Sequence, residues 1–333
     1  MELYPIWKDF FVTLGTDEEV EYNIYTEGLD DPIYTGTSNK RPDATENTIR
    51  INDICADYLA HTLPNISQNG IAKNIIAPRF SVEVDGDVKG EVNFTNDWSY
   101  EQDHDPSIAS APIDGVIDKR QPIIYSTYDR KTIEAELTFE DGTTMRLPLA
   151  LGSVADFNED FNNDFAISVN GSASGSAVIN TPEWEGLVKV SIDGFEYKVQ
   201  GCARYALYYA NAYGGWDTFA IRNIDKRTDA LTKYTTIRDH DNGNTANRGK
   251  ANYLNEVATS WKLTTAYLTD AQSERMHHLL GSTNVYLYDM DRGEMWPVVI
   301  TDKSVAHLTA KNNGRQFPTY TINVELARTR IRR

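Results

Sequence analysis

The sequence is poor in cysteine, in long apolar runs and in export signals. Its 333 residues contain two cysteines, Cys55 and Cys202, too few for the disulfide framework that holds small secreted domains together. We therefore expect two reduced, buried thiols. No window approaches the ~18 uninterrupted apolar residues of a membrane helix, and the start MELYPIWKDFF has no basic leader. These absences predict a soluble chain without membrane insertion or an ordinary export signal.

Motifs of the common enzyme classes are also missing. The sequence has no Gly-x-Ser-x-Gly elbow, no phosphate-binding Gly-x-x-x-x-Gly-Lys and no dinucleotide Gly-x-Gly-x-x-Gly. Its 49 acidic residues could supply a carboxylate pair for glycoside cleavage, but no feature selects one pair. We predict a protein that is not an enzyme, with no catalytic residues and no cofactor.

Metal-binding patterns are weak. His277 and His278 are adjacent, so on a helix they point about 100° apart and cannot share an ion. Glu274 and His278 do share a helix face, and a surface Glu–His pair explains them. The run DHDNG at Asp239–Gly243 fails as a calcium loop, because its glycine is fifth rather than sixth. We predict no metal site.

Positive charge is scarce and unevenly placed. Residues 1–200 carry 36 acidic and 14 basic side chains, net −22, whereas residues 201–333 carry 18 basic and 13 acidic, net +5. An acidic front segment disfavours nucleic acid, and a basic back segment allows head-to-tail contact between copies. Alternatively, the acidity only keeps a concentrated assembly soluble.

The chain ends in the arginine-rich run RTRIRR. Strand alternation would place Arg328, Arg330 and Arg332 on one face, where they could contact phosphates or the carboxylates of a partner. The acidic body favours a protein partner, so we predict an interface. A solvated tail that guards a sheet edge is the alternative.

Aromatic residues are plentiful, with 19 Tyr, 11 Phe and 6 Trp, and they favour strands. Alternating runs such as VEYNIY at Val20–Tyr25 predict half-buried strands. Asp-Gly pairs at residues 85–86, 141–142 and 193–194 predict three tight hairpins. In the third, alternation places Val188, Val190 and Ile192 on one face.

Helix signals are few. Thr269 and Gln272 form a capping box, Met276, Leu279 and Leu280 share a face, and Gly281 supplies a left-handed stop, which predicts one short helix over Asp270–Leu280. A weaker helix begins after Asn52, which is a favoured N-cap residue. In the last third we predict strands at Glu256–Leu268, Val285–Tyr288, Met295–Ile300 and Thr319–Arg328 around the short helix.

The block YALYYANAYGGWDTF at Tyr205–Phe219 crowds aromatic rings around a predicted Gly214-Gly215 turn. A buried aromatic hairpin follows, in the core or at a subunit interface. Tyrosines beside glycines also line sugar sites, so Tyr213 and Trp216 are candidate binding residues for a glycan or an interface.

These patterns together predict an all-β protein of two or three β-sandwich-like domains, with one short helix packed on the C-terminal sheet. Predicted domains span residues 1–110, 111–200 (with hairpins) and 201–333, the last being the assembly domain. The long polar stretch at Arg238–Lys250 has the length of an arm or lid. Unpaired sheet edges in this region are expected to pair with neighbouring copies.

Several segments resemble a family of phage and prophage proteins from gut Bacteroides-type hosts. They are YPIWKDFFVTL with VEYNIY, INDICADYL, YALYYANAYGGWDTFAIRN, and the closing stretch from NYLNEVATSW to WPVVITD, and the resemblance spans most of the chain. The strand, helix and strand order of the last third also looks like the sandwich-plus-helix domains of tail tubes and distal tail proteins. The family contributes no catalytic residues.

This resemblance implies a virion structural protein made in the host cytoplasm. We expect a tail or baseplate ring subunit, hexameric or trimeric, whose partners are itself and other tail proteins. Neck or head placement is a further structural alternative. Two rivals are a host-surface glycan-binding module that uses Tyr213 and Trp216, and a carbohydrate-degrading tail enzyme, which would release reducing ends from host capsule.

Overall fold

The computed structural model describes residues 2–59, 62–66, 70–72, 77–106, 108–110, 114–128, 132–150, 175–179, 184–192, 194–201, 203–237, 250–304, 306–314, 316–328 and 330–332. Strands dominate and the helices are short, which confirms the all-β prediction. Cys55 lies in the core, where burial raises the pKa of its thiol to about 12. Cys202 lies outside the described residues.

The described strands and helices follow one another in this order: β1 Leu3–Pro5, β2 Phe11–Gly15, β3 Glu19–Thr26, β4 Tyr34–Asn39, β5 Asn47–Arg50, α1 Asn52–Ala56, β6 Gly70–Ala72, β7 Arg79–Val84, β8 Asp87–Thr95, β9 Gly115–Asp118, β10 Ile123–Thr127, β11 Thr132–Phe139, β12 Thr144–Ala150, β13 Gly175–Ile179, β14 Leu187–Ile192, β15 Phe195–Gln200, β16 Tyr205–Ala210, β17 Trp216–Ile237, β18 Lys250–Thr265, α2 Asp270–Glu274, α3 Met276–Gly281, β19 Val285–Asp289, β20 Glu294–Ile300, β21 Thr321–Leu326 and β22 Arg330–Arg332.

The chain divides into two compact units. The first contains residues 1–113, 122–197 and 210–217, and the second contains residues 114–121, 198–209 and 218–333. Each unit is therefore assembled from three separate stretches of chain. The sequence-based division at residues 110 and 200 stays a prediction.

In the first unit, a five-stranded sheet has the order β1-β8-β7-β3-β4, and β2 pairs with β5. Alternation along these strands directs Ile24, Phe80, Val82 and Phe94 into one apolar core. Asn52 does not cap α1, because the N-cap residue is Ile51. Its buried amide instead accepts from Phe10 N and donates to the carbonyls of Ile6 and Lys8. The predicted helix is present, but the predicted N-cap is wrong.

Two further sheets belong to this unit: β10-β13-β6, and a ladder in which β12, β11, β14 and β15 are neighbours. The predicted Asp-Gly turns are confirmed, with positive φ at Asp85, Gly86, Gly142 and Gly194. Asp193 lies outside the described residues.

One face of the third predicted hairpin differs from expectation. Val190 and Ile192 are buried, but Val188 is exposed and Leu187 is buried in its stead. A register shift at Thr138/Phe139 of the partner strand puts Phe139 opposite Leu187. Such a shift changes which residues of a strand face the core, and this corrects the predicted Val188 position.

The second unit is built on a sheet that closes on itself. Its order is β17-β16-β19-β20-β21-β18, β18 also pairs with β17, and β22 adds to β18. Alternate residues of these strands form a core with helical residues, namely Leu207, Ile221, Trp261, Leu263, Val285, Leu287, Val298, Ile322, Val324, Met276 and Leu279. The predicted strand order of the last third is confirmed, although β18 begins six residues earlier than expected.

The short helix contributes to this core. It consists of two turns of helix, α2 and α3, separated by Arg275, and the predicted Thr269–Gln272 capping box is present. Met276 and Leu279 are buried as predicted. Gly281 is helical without positive φ, and Ser282 in an extended conformation ends the helix. The predicted left-handed stop is therefore wrong. No helix in the described part of the chain has the length and apolarity to span a membrane.

Candidate interaction surface

The β17–β18 hairpin extends well beyond the closed sheet. Its outer part, here called the arm, comprises residues 225–237 of β17 and residues 250–259 of β18. Every β17 residue from Asp225 to Thr235 is exposed. Pairing continues along the arm from Lys226↔Lys262 to Ile237↔Lys250. The arm is thus a long two-stranded ribbon whose β17 strand is exposed at every position from Asp225 to Thr235.

Register shifts bend the ribbon at two places. They lie between Ile224 and Lys226 and between Tyr234 and Thr235, and bulges of this kind increase local twist. Near its end, Tyr234 donates to Glu256 (3.1 Å), and the rings of Tyr234 and Tyr253 lie 6.3 Å apart. The hydrogen bond to Glu256 raises the pKa of Tyr234.

The arm exposes apolar side chains that a closed domain would bury. Leu231 is 52% exposed and Tyr253 is 57% exposed. An isolated two-stranded ribbon is marginally stable in water, and exposed apolar groups on an edge favour association. The arm therefore has the character of a contact element.

One edge of the arm lacks a neighbouring strand among the described residues. β17 pairs with β16 and β18, but β16 begins at Tyr205, and the Arg204 amide donates to the Ile221 carbonyl. Beyond Arg222, the outer edge of β17 faces no described strand. Backbone donors and acceptors along such an edge can pair with another chain.

Part of the predicted terminal strand is present and pairs with the arm, but Arg328 lies in a bend before it and not in the strand. In β22, positions 330, 331 and 332 lie opposite Val257, Glu256 and Asn255 of β18. β22 thus covers the outer edge of β18 at these positions, in keeping with the edge-guarding alternative. Arg328 is exposed. The side chains of Arg330 and Arg332 are not among the described parts of the structure.

The turn of the predicted aromatic hairpin, residues 210–217, belongs to the first unit, whereas residues 205–209 and 218–219 belong to the second. Tyr213 and Trp216 are each 1% exposed, and His104 stacks on Tyr213 with ring centroids 4.0 Å apart. In this structure neither ring offers a face to a glycan or to a neighbouring subunit. This burial favours the core-packing alternative, and the glycan or interface role of Tyr213 and Trp216 stays a prediction.

Asn211 holds the aromatic turn in place. Its Oδ1 accepts from the amides of Tyr213 and Gly215, and its Nδ2 donates to the Ala109 carbonyl. Gly214 has positive φ, and a Cβ on Gly215 would lie 2.4 Å from the Ala109 carbonyl oxygen. Only glycine fits both positions, which explains the Gly-Gly pair.

Sequence reasoning missed most of the arm. The predicted polar stretch 238–250 lies almost wholly outside the described residues, and the ribbon that leads to it was predicted only from Glu256 onward. The β-forming threonines and tyrosine of TDALTKYTT at Thr228–Thr236 were the available signal.

In the part of the chain that the structure describes, no three His, Cys, Asp or Glu side chains lie close enough together to hold a metal ion. Glu274 is exposed and His278 is buried, so these two residues do not form the surface pair predicted from the sequence.

The chain was compared with known proteins. No protein-family model matches it, and no curated protein is similar to it.

Proposed function

We propose that this chain is a structural subunit that self-assembles through its arm, and that its place is the tail or baseplate of a tailed phage. It is a distal-tail-like ring subunit, hexameric or trimeric, that connects other tail proteins and has no catalytic role. The observation that carries self-assembly is the arm, which is exposed at every β17 position from Asp225 to Thr235 and has an edge that no described strand covers. The tail placement rests on the sequence resemblance.

A β-rich subunit with such an arm suits ring assembly. When the arm of one copy contacts a different patch on the next, the contact is head-to-tail and closes into a ring if the rotation permits. The glycan-binding alternative has lost support, because its two candidate rings are buried.

Substitution of an exposed apolar residue on the arm tests self-assembly. We expect Leu231→Ser to weaken association of the full chain by about tenfold or more, because central apolar contacts dominate binding energy. Analytical ultracentrifugation over a concentration series measures this. The matched control is Val299→Ser, which removes an equally exposed valine from β20 (55% exposed) and is expected to leave association unchanged.

A wild-type chain that stays monomeric at every concentration would overturn self-assembly. Immunogold labelling of purified particles tests the placement separately. Label concentrated at the tail is the expected result, and label absent from particles would overturn the virion role.

A further inference from the structure

The first unit has an unpaired edge of its own. β4 is the last strand of its sheet and pairs only with β3 among the described strands. Tyr34, Thr35, Thr37 and Asn39 are exposed. Six residues of strand span about 20 Å, and the unpaired edge of β17 on the arm is longer than that. Each copy of the chain therefore carries two strand edges that no described strand covers.

The surroundings of β4 are strongly acidic. Residues 15–46 contain nine acidic and two basic side chains, net −7. The acidic side chains are exposed, and none of them forms an ion pair with another described residue. On β3, Glu19 and Glu21 lie opposite Asn39 and Thr37. Directly paired residues share a face of the sheet, so this face presents carboxylates beside the unpaired edge.

The arm and the terminal strand carry the opposite charge. Residues 225–237 and 250–259 of the arm contain four basic and three acidic side chains, net +1, and residues 328–332, beside the outer edge of β18, add three arginines. Arg227 is paired with Asp229 at 3.3 Å. By contrast, Lys226, Lys233 and Arg328 are exposed and have no acidic partner within the described ranges. Exposed cations on a contact element select an acidic partner surface.

We propose that the arm of one copy pairs along β4 of the next copy, where the outer edge of β17, which no described strand covers, extends the first sheet. No register shift separates Lys226 from Lys233, so they lie on opposite faces of the ribbon and one of them shares the face of Glu19 and Glu21. This inference rests on the proposed self-assembly and specifies its acceptor surface. Strand addition supplies backbone hydrogen bonds, and the charge pattern supplies register and partner choice. Because arm and acceptor are different patches, the contact is head-to-tail.

Charge reversal on each side tests the pairing. Lys226→Glu with Lys233→Glu, and separately Glu19→Lys with Glu21→Lys, are expected to weaken self-association by about tenfold or more, because like charges then meet. All four substitutions in one chain restore opposite charges and should restore association. Analytical ultracentrifugation of the full chain at low salt gives the readout.

A matched control reverses two acidic residues elsewhere in the first unit. Glu91→Lys with Glu101→Lys changes the same net charge at exposed positions, and association should stay as in wild type. An equal loss in this control would show a net-charge effect and overturn the proposed acceptor.

The experiments distinguish failure of the proposed self-assembly from failure of the proposed β4 acceptor. A wild-type chain that never associates overturns the proposed function together with this inference. A wild-type chain that associates and loses association on arm reversal, but not on reversal of Glu19 and Glu21, overturns the β4 acceptor alone. In that case the arm binds another surface of the neighbouring copy.

Discussion

His278 lies buried in α3, in an environment that disfavours its charged form. Burial lowers the pKa of its imidazole to about 3, and nearby His277 and Arg275 act in the same direction. In the unfolded chain the group titrates near its ordinary pKa of 6.5. Between pH 6.5 and pH 3 the unfolded chain therefore binds a proton that the folded chain does not, so the free energy of unfolding falls as pH falls through this window.

We expect His278→Gln to remove this part of the acid sensitivity. Below pH 6, the free energy of unfolding of wild type should fall relative to that of the variant by up to about 1.4 kcal/mol for each pH unit. Urea unfolding at pH 7, 6, 5 and 4 measures it. His277→Gln on the same helix is the control, because His277 is exposed. A constant difference between wild type and His278→Gln would contradict the assignment.

Single residues also show where sequence reading fails. Gly281 had the position of a helix stop, but Ser282 ends α3 in an extended conformation, and local composition does not distinguish the two endings. Tyr213 and Trp216 were candidate ligand residues, yet their exposure depends on which strands cover them, and that is a property of tertiary packing. Asn211, which holds their turn, carries no signal beyond its turn propensity.

At the scale of elements, the cap of α2 does more than begin a helix. The Thr269 hydroxyl accepts from the Gln272 amide, and the Gln272 Oε1 accepts from the Thr269 amide. The same Gln272 side chain accepts from Val116 N and donates to Val116 O of β9. Gln272 thus joins the helix to a strand 156 residues away.

This double role predicts unequal effects of two truncations. Thr269→Ala loses the capping bond and the solvent-exposed bond from its hydroxyl to the Asp114 carbonyl, and should lower the free energy of unfolding by about 1 kcal/mol. Gln272→Ala also leaves Val116 without its partners and should lower it by about 2 to 3 kcal/mol. Chemical unfolding followed by far-ultraviolet circular dichroism compares the two. Equal losses would mean that the Val116 bonds contribute nothing.

Local elements were readable because their signals are local. The Asp-Gly turns, the capping box and the alternating strands each depend on neighbours within a few residues, and the structure contains them. The β17 ribbon was not readable beyond its first residues, because a ribbon exposed on both faces has no alternation of apolar and polar residues. Its length follows from pairing with β18.

At the scale of the whole molecule, the sequence predicted the class of fold but not its closure. The strands of the last third were expected, yet nothing in their alternation shows that β17 and β18 also pair and close the sheet. Closure depends on register between strands distant in the chain. The division into two units, each built from three stretches, has the same origin in long-range contacts.

The charge asymmetry gives the last prediction. With net −22 in residues 1–200 and +5 in residues 201–333, we expect the opposite charges to favour the proposed head-to-tail contact between copies, which should then weaken as salt is added. The screening length falls from about 10 Å at 0.1 M to about 3 Å at 1 M. We expect the association constant to fall several-fold over this range, while the thermal unfolding midpoint of the single chain changes little.

Neutralising the arm separates this effect from general salt action. Lys226→Gln with Lys233→Gln removes two exposed cations without reversing charge, so association should be weaker at low salt and its salt dependence flatter than in wild type. The residual association at 1 M salt then reports the apolar contact of Leu231 and the backbone pairing. Association that strengthens with salt in wild type would contradict the prediction, because it would mean that repulsion between chains of net charge −17 outweighs the attraction between the two segments.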